Sequence, residues 1–192
     1  MPTKKERILI ATEMLLAQYG FAGLSMAMIA KEANIAAGSI YTYFADKEDL
    51  LSQLYKYVLQ RVAEHMQKNI DTTTPLQQQH QAMWQNLWKM SQSAQAPIIN
   101  HGQFSHLPRP FKCDEQELIF PLLAAFFEHG KQVKSLKPLP NAALFMLGFE
   151  PAISLGKKHH SHQIQLDDDA ISLCTAACWD AISTSILEHS IQ

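Results

Sequence analysis

The sequence predicts an all-α fold. Apolar residues recur at helical spacing, long β-branched runs are absent, and only 7 glycines and 9 prolines occur among 192 residues. A hydrophobic content of 47% is typical of a globular protein. No stretch of about 18 apolar residues is present, so we expect no membrane span. The N-terminus also lacks the cleavage site of a secretory signal peptide, which leads us to expect a cytoplasmic protein.

Four local signals predict the first two helices and the turn that follows them. Thr3 and Glu6 have the spacing of a capping box, which starts a helix, and Gly20 is a natural end to that helix. Ser25 can cap a second, short helix. Asn34 is the best non-glycine choice for a left-handed turn position, so we expect a tight turn there.

A short helix at about 37–44 and a long helix capped by Asp46 complete the N-terminal part. Two short helices joined by a tight turn form the helix-turn-helix pattern, whose second helix enters the major groove of DNA. We therefore predict an N-terminal three-helix helix-turn-helix domain over residues 1–50, with the motif itself at about 25–44. Residues 51–192 would form a second, C-terminal helical domain.

The composition changes near "DTTTP" at residues 71–75, after which the helices become longer and more aromatic. Within the next helix, we interpret "LQQQHQ" as a solvated face. The last two helices have broad apolar stripes and contain Gly148 and Gly156, which allow close approach, so we expect them to form a dimer interface. We expect Pro151 to kink the first of this pair. The five helices predicted in this part lie at about 76–94, 97–104, 115–132, 142–158 and 168–189.

The stretch "GSIYTYFADKEDL" carries the chemistry of a candidate site. Ile40 and Phe44 are four residues apart, which suits anchoring of the short helix to the rest of its domain. The phenol of Tyr43 can reach a phosphate oxygen, and Lys47 adds an ammonium to the N–H groups at the next helix start. Because the short helix has no Arg, Lys, Asn or Gln, we expect methyl and hydroxyl contacts to bases in place of bidentate ones. The short side chains left to make them are Ala37, Ser39 and Thr42.

A second interpretation is that Tyr41, Tyr43 and Phe44 only pack a small three-helix core. We favour packing for Ile40 and Phe44, whereas the sequence leaves both interpretations open for Tyr41. The net charge of −2 provides no global basic field, so a DNA footprint would be local.

Residues 8–51, "ILIATEMLLAQYGFAGLSMAMIAKEANIAAGSIYTYFADKEDLL", resemble the DNA-binding domain of the tetracycline-repressor (TetR) family. The resemblance implies an all-α homodimer whose N-terminal domain binds a double-stranded DNA operator. It also implies that the C-terminal domain binds a small-molecule inducer and that the protein is a repressor. A two-fold dimer would bind a palindromic operator. The positions at which family members touch DNA correspond here to Ser25, Ala37, Ser39, Tyr41, Thr42, Tyr43 and Lys47.

The chain departs from the family pattern at several positions. Ala36 stands where the family usually has a Ser or Thr that caps the recognition helix, and a missing cap costs about 1 kcal/mol. Asn34 replaces a usual glycine. Ala27 and Met28 replace a usual polar or charged pair.

An apolar pocket between helices is the usual ligand site in a helical bundle, and it would take an apolar inducer. The aromatic candidates recur at helical spacing, so each can equally be a packing residue of the core. His101 and Glu150 are polar groups within apolar segments and could orient a ligand. The candidate lining residues are Trp84, Trp88, His101, Phe104, Phe120, Phe145, Phe149, Glu150 and Trp179.

A metal-responsive sensor is the alternative function on the same fold. It would use the histidines of "KKHHSH" at residues 157–162, or Cys174 and Cys178 one helical turn apart. Neither group has the spacing of a usual zinc site, and the two cysteines also continue an apolar stripe. We find no nucleophile–base arrangement and no glycine-rich phosphate loop, so we expect no enzyme activity and no cofactor.

Overall fold

The computed structural model describes residues 2–93 and 119–184. Within these two ranges the secondary structure is helical, without strands apart from one isolated bridge between Leu136 and Ser183. The predicted all-α fold is therefore confirmed. The described helices are α1 (Lys4–Gly23), α2 (Met26–Glu32), a 3-10 helix (Ala37–Thr42), α3 (Lys47–Met66), α4 (Leu76–Ser91), α5 (Pro121–Gln132), α6 (Asn141–Gly148), α7 (Glu150–His160) and α8 (Asp168–Ile182).

The described chain divides into two compact units. The first runs to Arg61 and the second begins at Val62, so helix α3 contributes residues to both. The predicted domain boundary after residue 50 lies near the start of the same helix. It remains a prediction. The helix predicted at 97–104 lies outside the described residues.

Helix α1 begins with the predicted capping box. The Thr3 N–H donates to Oε2 of Glu6 at 2.7 Å, and the Glu6 N–H donates to Oγ1 of Thr3 at 3.2 Å. Gly20 has the left-handed φ of 64° and interrupts the helix, but the helix resumes and ends at Gly23. The helical geometry of α1 therefore stops at Gly20 as predicted, because glycine adopts the left-handed region without steric cost, and one further short turn follows it.

The turn after α2 follows the local signals. Oγ of Ser25 accepts from the Met28 N–H at 3.2 Å and caps α2, and Asn34 has the expected left-handed φ of 53°. The next element is a 3-10 helix over Ala37–Thr42 where an α-helix to Phe44 was predicted. No side chain caps its start, and Gly38 within it has a low helix propensity, which together favour the shorter and tighter form.

The first unit has its own apolar core, drawn from all of its helices. Ile8, Ile29, Ile40 and Leu54 are each fully buried there. The packing of these side chains holds the 3-10 helix in place although the element itself is short and uncapped.

An ion pair links two helices of the first unit. Glu13 is 3% exposed, and its Oε2 accepts from Nη1 of Arg61 at 2.6 Å. The pair joins the middle of α1 to α3, and the contact compensates the buried charge of the carboxylate.

In the second unit, α4 packs chiefly on α7 and also on α8, and α6 packs on α8. A Cβ atom at Gly156 would overlap the Ser91 side chain, and one at Gly148 would lie 2.9 Å from Cδ1 of Ile182. Both glycines therefore serve close packing within their own chain. The close approach that they allow is thus within the protomer, and the dimer interface expected for the last two helices remains a prediction.

The predicted helix over 142–158 is two helices, α6 and α7. They separate at Phe149, whose φ of −129° and ψ of −37° fall outside the regular helix, and Pro151 lies in the first turn of α7. Pro151 has no backbone N–H to continue the helix of the preceding residues. The proline thus breaks the predicted helix rather than only kinking it.

Candidate DNA-binding site

The 3-10 helix presents two different faces. Ile40 is fully buried and Phe44 is 1% exposed, so both anchor the element as predicted. Tyr41 is 58% exposed, which excludes core packing as its role, and its contact with DNA remains a prediction. The other predicted base-facing residues, Ala37, Ser39 and Thr42, are also exposed. A row of short and hydroxyl-bearing side chains therefore faces outward.

Tyr43 ends the 3-10 helix and is half-buried against the core of the first unit. Its N–H donates to the Ile40 carbonyl at 3.0 Å, which fixes the backbone at this point. A phenol held at its ring by packing can direct its hydroxyl group at a neighbouring oxygen, such as that of a phosphate. Ser25, the remaining predicted contact, is exposed at the start of α2.

Lys47 has a structural role that the sequence did not reveal. Its Nζ donates to the Phe21 carbonyl at 2.6 Å and to the Leu24 carbonyl at 2.8 Å. These carbonyls belong to the end of α1 and the residue that follows it, so the ammonium group ties the start of α3 to that segment. Because an ammonium has three N–H groups, two bonds leave one for a phosphate oxygen.

The start of α3 is capped by its own carboxylates. Oδ1 of Asp46 accepts from the Asp49 N–H at 2.8 Å, and Oδ2 of Asp49 accepts from the Ala45 N–H at 2.9 Å. Hydrogen bonds from the Gln53 side chain and from the Ala45 N–H lower the pKa of Asp49 below its usual range. This reciprocal cap holds Lys47 and the end of the 3-10 helix in a defined geometry.

Lys4 and Lys5 at the exposed start of α1 add positive charge to the first unit. The ammonium of Lys5 lies 5.9 Å from the centroid of the Phe44 ring. The contact links the basic first turn of α1 to Phe44, the buried aromatic residue that anchors the 3-10 helix.

A three-helix unit that buries one face of its last short helix and exposes the other has the architecture of a helix-turn-helix DNA-binding domain. The comparisons with known proteins agree. Residues 8–54 match the family described as bacterial regulatory proteins, tetR family. Residues 75–183 match the tetracyclin repressor-like, C-terminal domain. The chain belongs to the TetR family of transcriptional regulators.

Three similar proteins cover almost the whole chain. A TetR-family transcriptional regulator of Vibrio parahaemolyticus is 38% identical with a TM-score of 0.81, over 95% of this chain and 100% of its own. An HTH-type transcriptional regulator of Haemophilus influenzae is 32% identical over 177 residues, 92% of this chain and 94% of its own. FadR of Bacillus subtilis, solved with stearoyl-CoA, is 20% identical with a TM-score of 0.65, over 90% of this chain and 95% of its own. At this identity the similarity shows the shared fold alone.

The predicted ligand-lining residues fall in three groups. Trp84 and Phe149 are fully buried, and Trp88, Phe120 and Trp179 are nearly so. Phe145 and Glu150 are half-buried, while His101 and Phe104 lie outside the described residues. The ring contacts form two sets, one with Trp84 stacked on Trp88 at 5.6 Å and the other with Phe145 stacked on Phe149 at 6.0 Å between centroids. They build the core of the second unit.

His80 is a buried polar group that the sequence analysis missed. It lies in "LQQQHQ", of which Gln77, Gln78 and Gln81 are exposed as predicted. Gln79 is 8% exposed and His80 is fully buried, so the solvated face covers only part of the segment. The helical spacing of His80 with Met83, Trp84 and Leu87 would have indicated burial. Nε2 of His80 lies 2.9 Å from the Gly148 carbonyl oxygen. Burial lowers the pKa of His80 to about 4, and the hydrogen bond to this carbonyl offsets only part of the decrease.

Two buried polar atoms on residues one turn apart on α4 have no hydrogen-bond partner among the described residues. They are Nδ1 of His80 and Nε1 of Trp84. Burial raises the pKa of the Cys178 thiol, and the Trp84 indole offsets part of this rise, so the indole lies against the sulfur. A thiol is a weak acceptor, and no hydrogen bond of ordinary geometry joins the two groups. Each buried atom left in this way costs about 1–3 kcal/mol.

The histidines and cysteines of the metal-sensor alternative do not converge. Within residues 2–93 and 119–184, no group of three His, Cys, Asp or Glu side chains is arranged to hold a metal ion. Nδ1 of His159 instead accepts from the Leu166 N–H at 3.2 Å, and Nδ1 of His162 lies 3.2 Å from the Gln165 amide. In the same part of the chain, no helix is both long and apolar enough to cross a lipid bilayer.

Proposed function

We propose that this TetR-family protein is a ligand-responsive repressor that binds a palindromic operator as a homodimer and is released by a small apolar inducer. The observation that supports DNA binding is the outward face of the 3-10 helix on the well-packed first unit, which we call the DNA-binding head. Ser39 and Thr42 supply hydroxyl groups there, and Ala37 supplies a methyl group for contact with a thymine methyl. Its action belongs in the cytoplasm, where bacterial DNA is found.

Exposed apolar side chains of the second unit support a homodimer. Met146 and Leu147 of α6 are 60% and 46% exposed, and Leu173 of α8 is 71% exposed. Leu173 lies on a face of α8 that also exposes the small residues Ser172, Ala176 and Ala177. Asp169 and Asp180 are exposed one and two turns away on the same face. Such a face allows a second copy of the same helix to approach closely across a two-fold axis.

The aromatic core of the second unit supports an apolar inducer. FadR of Bacillus subtilis, which shares this fold, was solved with a ligand that carries a long acyl chain. Helix α3 offers a route for the response, because it contributes residues to both units. We propose that inducer binding in the second unit changes the position of α3 and with it the spacing of the two DNA-binding heads.

The test is a fluorescence-anisotropy titration of the purified protein with DNA from upstream of its own gene, at two salt concentrations. We expect saturable binding of two protomers per site, with an affinity that falls steeply as salt rises, because phosphate contacts release counterions. A scrambled duplex of equal length and composition is the control. Equal affinity for both duplexes would show that this DNA is not the operator, and a selection from random sequences would then be used.

If the selection also enriches no sequence, specific operator binding by this chain is excluded.

The proposed inducer response has a separate readout in the same assay. Small apolar compounds are added to the preformed complex, and a fall in anisotropy that saturates with compound concentration identifies an inducer. Loss of DNA binding and loss of ligand response are therefore distinguished in one assay.

A further inference from the structure

His80 and Trp84 lie one turn apart on the same face of α4. Residues at this spacing have Cβ atoms about 5–6 Å apart, so one small group can contact both side chains. The two rings also face consecutive residues of α8. The His80 ring centroid lies 5.5 Å from that of Trp179, and the Trp84 indole lies against Cys178. Both side chains are fully buried.

The hydrogen bond of His80 fixes which of its nitrogens carries the proton. Nε2 faces the Gly148 carbonyl oxygen at 2.9 Å, and a carbonyl can only accept, so Nε2 carries the hydrogen atom. Nδ1 of the neutral ring is then a bare acceptor. The indole Nε1 of Trp84 can only donate. Three buried side-chain atoms of the described residues lack a hydrogen-bond partner, and the third is Oγ of Ser183. The two on α4 form a complementary pair, one acceptor and one donor.

We propose that Nδ1 of His80 and Nε1 of Trp84 are the polar anchor of the inducer site, and that they bind a neutral hydroxyl group on an apolar ligand. The ligand oxygen accepts from the Trp84 N–H, and its own hydrogen atom is donated to Nδ1 of His80. This assignment rests on the proposed ligand response, and it adds the polar chemistry that the ligand must carry.

The surroundings select a neutral ligand group. His80 lies 4.7 Å from the Phe149 ring between centroids, and its pKa is governed by burial and the Gly148 carbonyl, with no contribution from a charged side chain. A carboxylate would bring a second unprotonated oxygen towards the bare Nδ1 atom, without a described cation to balance its charge. A hydroxyl group satisfies both anchor atoms and introduces no charge into the core.

The experiment measures ligand binding directly, by isothermal titration calorimetry of the full chain without DNA at neutral pH. The probes are phenol, hexanol and decanol, each paired with its methyl ether, together with decanoate. An ether oxygen can accept from Trp84 but has no hydrogen atom for His80. We expect at least one of the three hydroxyl compounds to bind, and to bind about tenfold more tightly than its ether.

Two variants separate the roles of the anchor atoms. Trp84→Phe keeps a ring but removes the donor, so it should weaken hydroxyl and ether binding alike by about tenfold and keep the difference between them. His80→Phe removes the acceptor, so the hydroxyl and the ether should bind equally. Tyr55→Phe is the control, because it removes a polar group from a buried ring in the core of the first unit and should leave the binding of every probe unchanged. Thermal denaturation confirms that each variant is folded.

Four results would overturn the proposal. They are failure of all three hydroxyl compounds to bind, equal binding of hydroxyl and ether by the unaltered protein, tighter binding of decanoate than of decanol, and an equal effect of Tyr55→Phe and Trp84→Phe. Failure of every hydroxyl compound would show that the pair serves only a buried water molecule. If a hydroxyl compound binds through the pair but leaves operator affinity unchanged, the site stands and the proposed ligand response fails.

Discussion

At the scale of single residues, Lys47 makes two hydrogen bonds that stabilise the fold and is also proposed to contact DNA. Its ammonium group donates to the carbonyls of Phe21 and Leu24, and the same group would meet a phosphate oxygen in the complex. Charge-assisted hydrogen bonds of this kind contribute about 1.5–3 kcal/mol each. Tyr43 differs, because its ring packs on the core while its hydroxyl group makes no hydrogen bond to the described residues.

Substitution separates these two residues. Lys47→Met keeps the length of the side chain but removes the ammonium, so we expect it to lower both the unfolding free energy and the affinity for DNA. The slope of log affinity against log salt should fall by about one unit in magnitude. Tyr43→Phe should weaken DNA binding and leave unfolding unchanged. The measurements are urea denaturation and anisotropy at several salt concentrations, with the exposed Tyr19→Phe as control.

If Lys47→Met changes stability but not the salt dependence, Lys47 is a structural residue alone. If neither substitution changes the affinity for operator DNA, the phosphate contacts are assigned to the wrong residues.

His80 makes stability depend on pH. Its pKa is about 4 in the folded chain and near 6.5 when unfolded, so between these values the unfolded chain binds a proton that the folded chain does not. Stability is therefore lost as the pH falls through this range, by about 2 kcal/mol between pH 7.5 and pH 5. Urea denaturation at both pH values should show a smaller loss for His80→Gln than for the unaltered protein. The exposed His160→Gln should keep the full loss, and an equal loss in all three would contradict the assignment.

At the scale of elements, two helices differ in how their first N–H groups are satisfied. The 3-10 helix has no side-chain cap at Ala36. Helix α5 also lacks a cap from its own sequence, but Oε1 of Gln67 accepts from the Leu122 N–H at 2.8 Å and from the Leu123 N–H at 3.3 Å. A residue that follows α3 thus caps a helix more than 50 positions further along the chain.

Adding the missing cap to the 3-10 helix should stabilise the head. The backbone of Ala36, with φ of −63° and ψ of 137°, already has the extended geometry of a capping residue. Ala36→Ser is therefore expected to raise the unfolding free energy by up to about 1 kcal/mol. Ala45→Ser, at an exposed position before α3, is the control for the serine itself. A destabilised Ala36→Ser variant would show that the hydroxyl group cannot reach the helix N–H groups.

Removing the remote cap should destabilise the second unit. Gln67→Ala leaves the N–H groups of Leu122 and Leu123 without their acceptor, which we expect to cost about 1–2 kcal/mol of unfolding free energy. Gln60→Ala, on the exposed face of α3, has no such role and should change stability by much less. Thermal melts of the two variants check this, and equal melting temperatures would exclude the cap as a stabilising contact.

At the scale of the whole molecule, two self-contained cores share one chain, and the proposed regulator requires two such chains. The large exposed side chains of α6 and α8 have no role in the folding of a single protomer. Leu173, at 71%, is the most exposed of the large apolar residues described. Its position on a face with small neighbours fits an interface better than a solvated surface.

Leu173→Glu should therefore dissociate the proposed dimer, because two buried carboxylates would face each other across the two-fold axis. Sedimentation equilibrium is expected to give the mass of a monomer for this variant and twice that mass for the unaltered chain. Met14→Glu, at an exposed apolar residue of the first unit, should remain dimeric. A monomeric unaltered protein, or a dimeric Leu173→Glu variant, would contradict this interface.

The sequence predicted those features whose causes are local. The capping box of Thr3 and Glu6, the cap at Ser25 and the left-handed Asn34 each depend on residues within a few positions, and all three are present. Contacts between distant positions were not predictable. His80 meets Gly148 across 68 positions and Lys47 meets Phe21 across 26, and helical periodicity carries no information about such pairs. Burial of Gln79 and His80 within "LQQQHQ" was missed for the same reason.

The outward face of the 3-10 helix has a consequence for how a regulator finds its site in a chromosome. Base contacts from methyl and hydroxyl groups discriminate less strongly than bidentate contacts from long side chains, which are worth about 1–3 kcal/mol each. A chromosome offers on the order of a million or more competing positions, so a single head of this kind would be occupied mostly by incorrect sequences. Recognition would then depend on the fixed distance between two heads, and the separation of the half-sites would carry much of the information that identifies the operator.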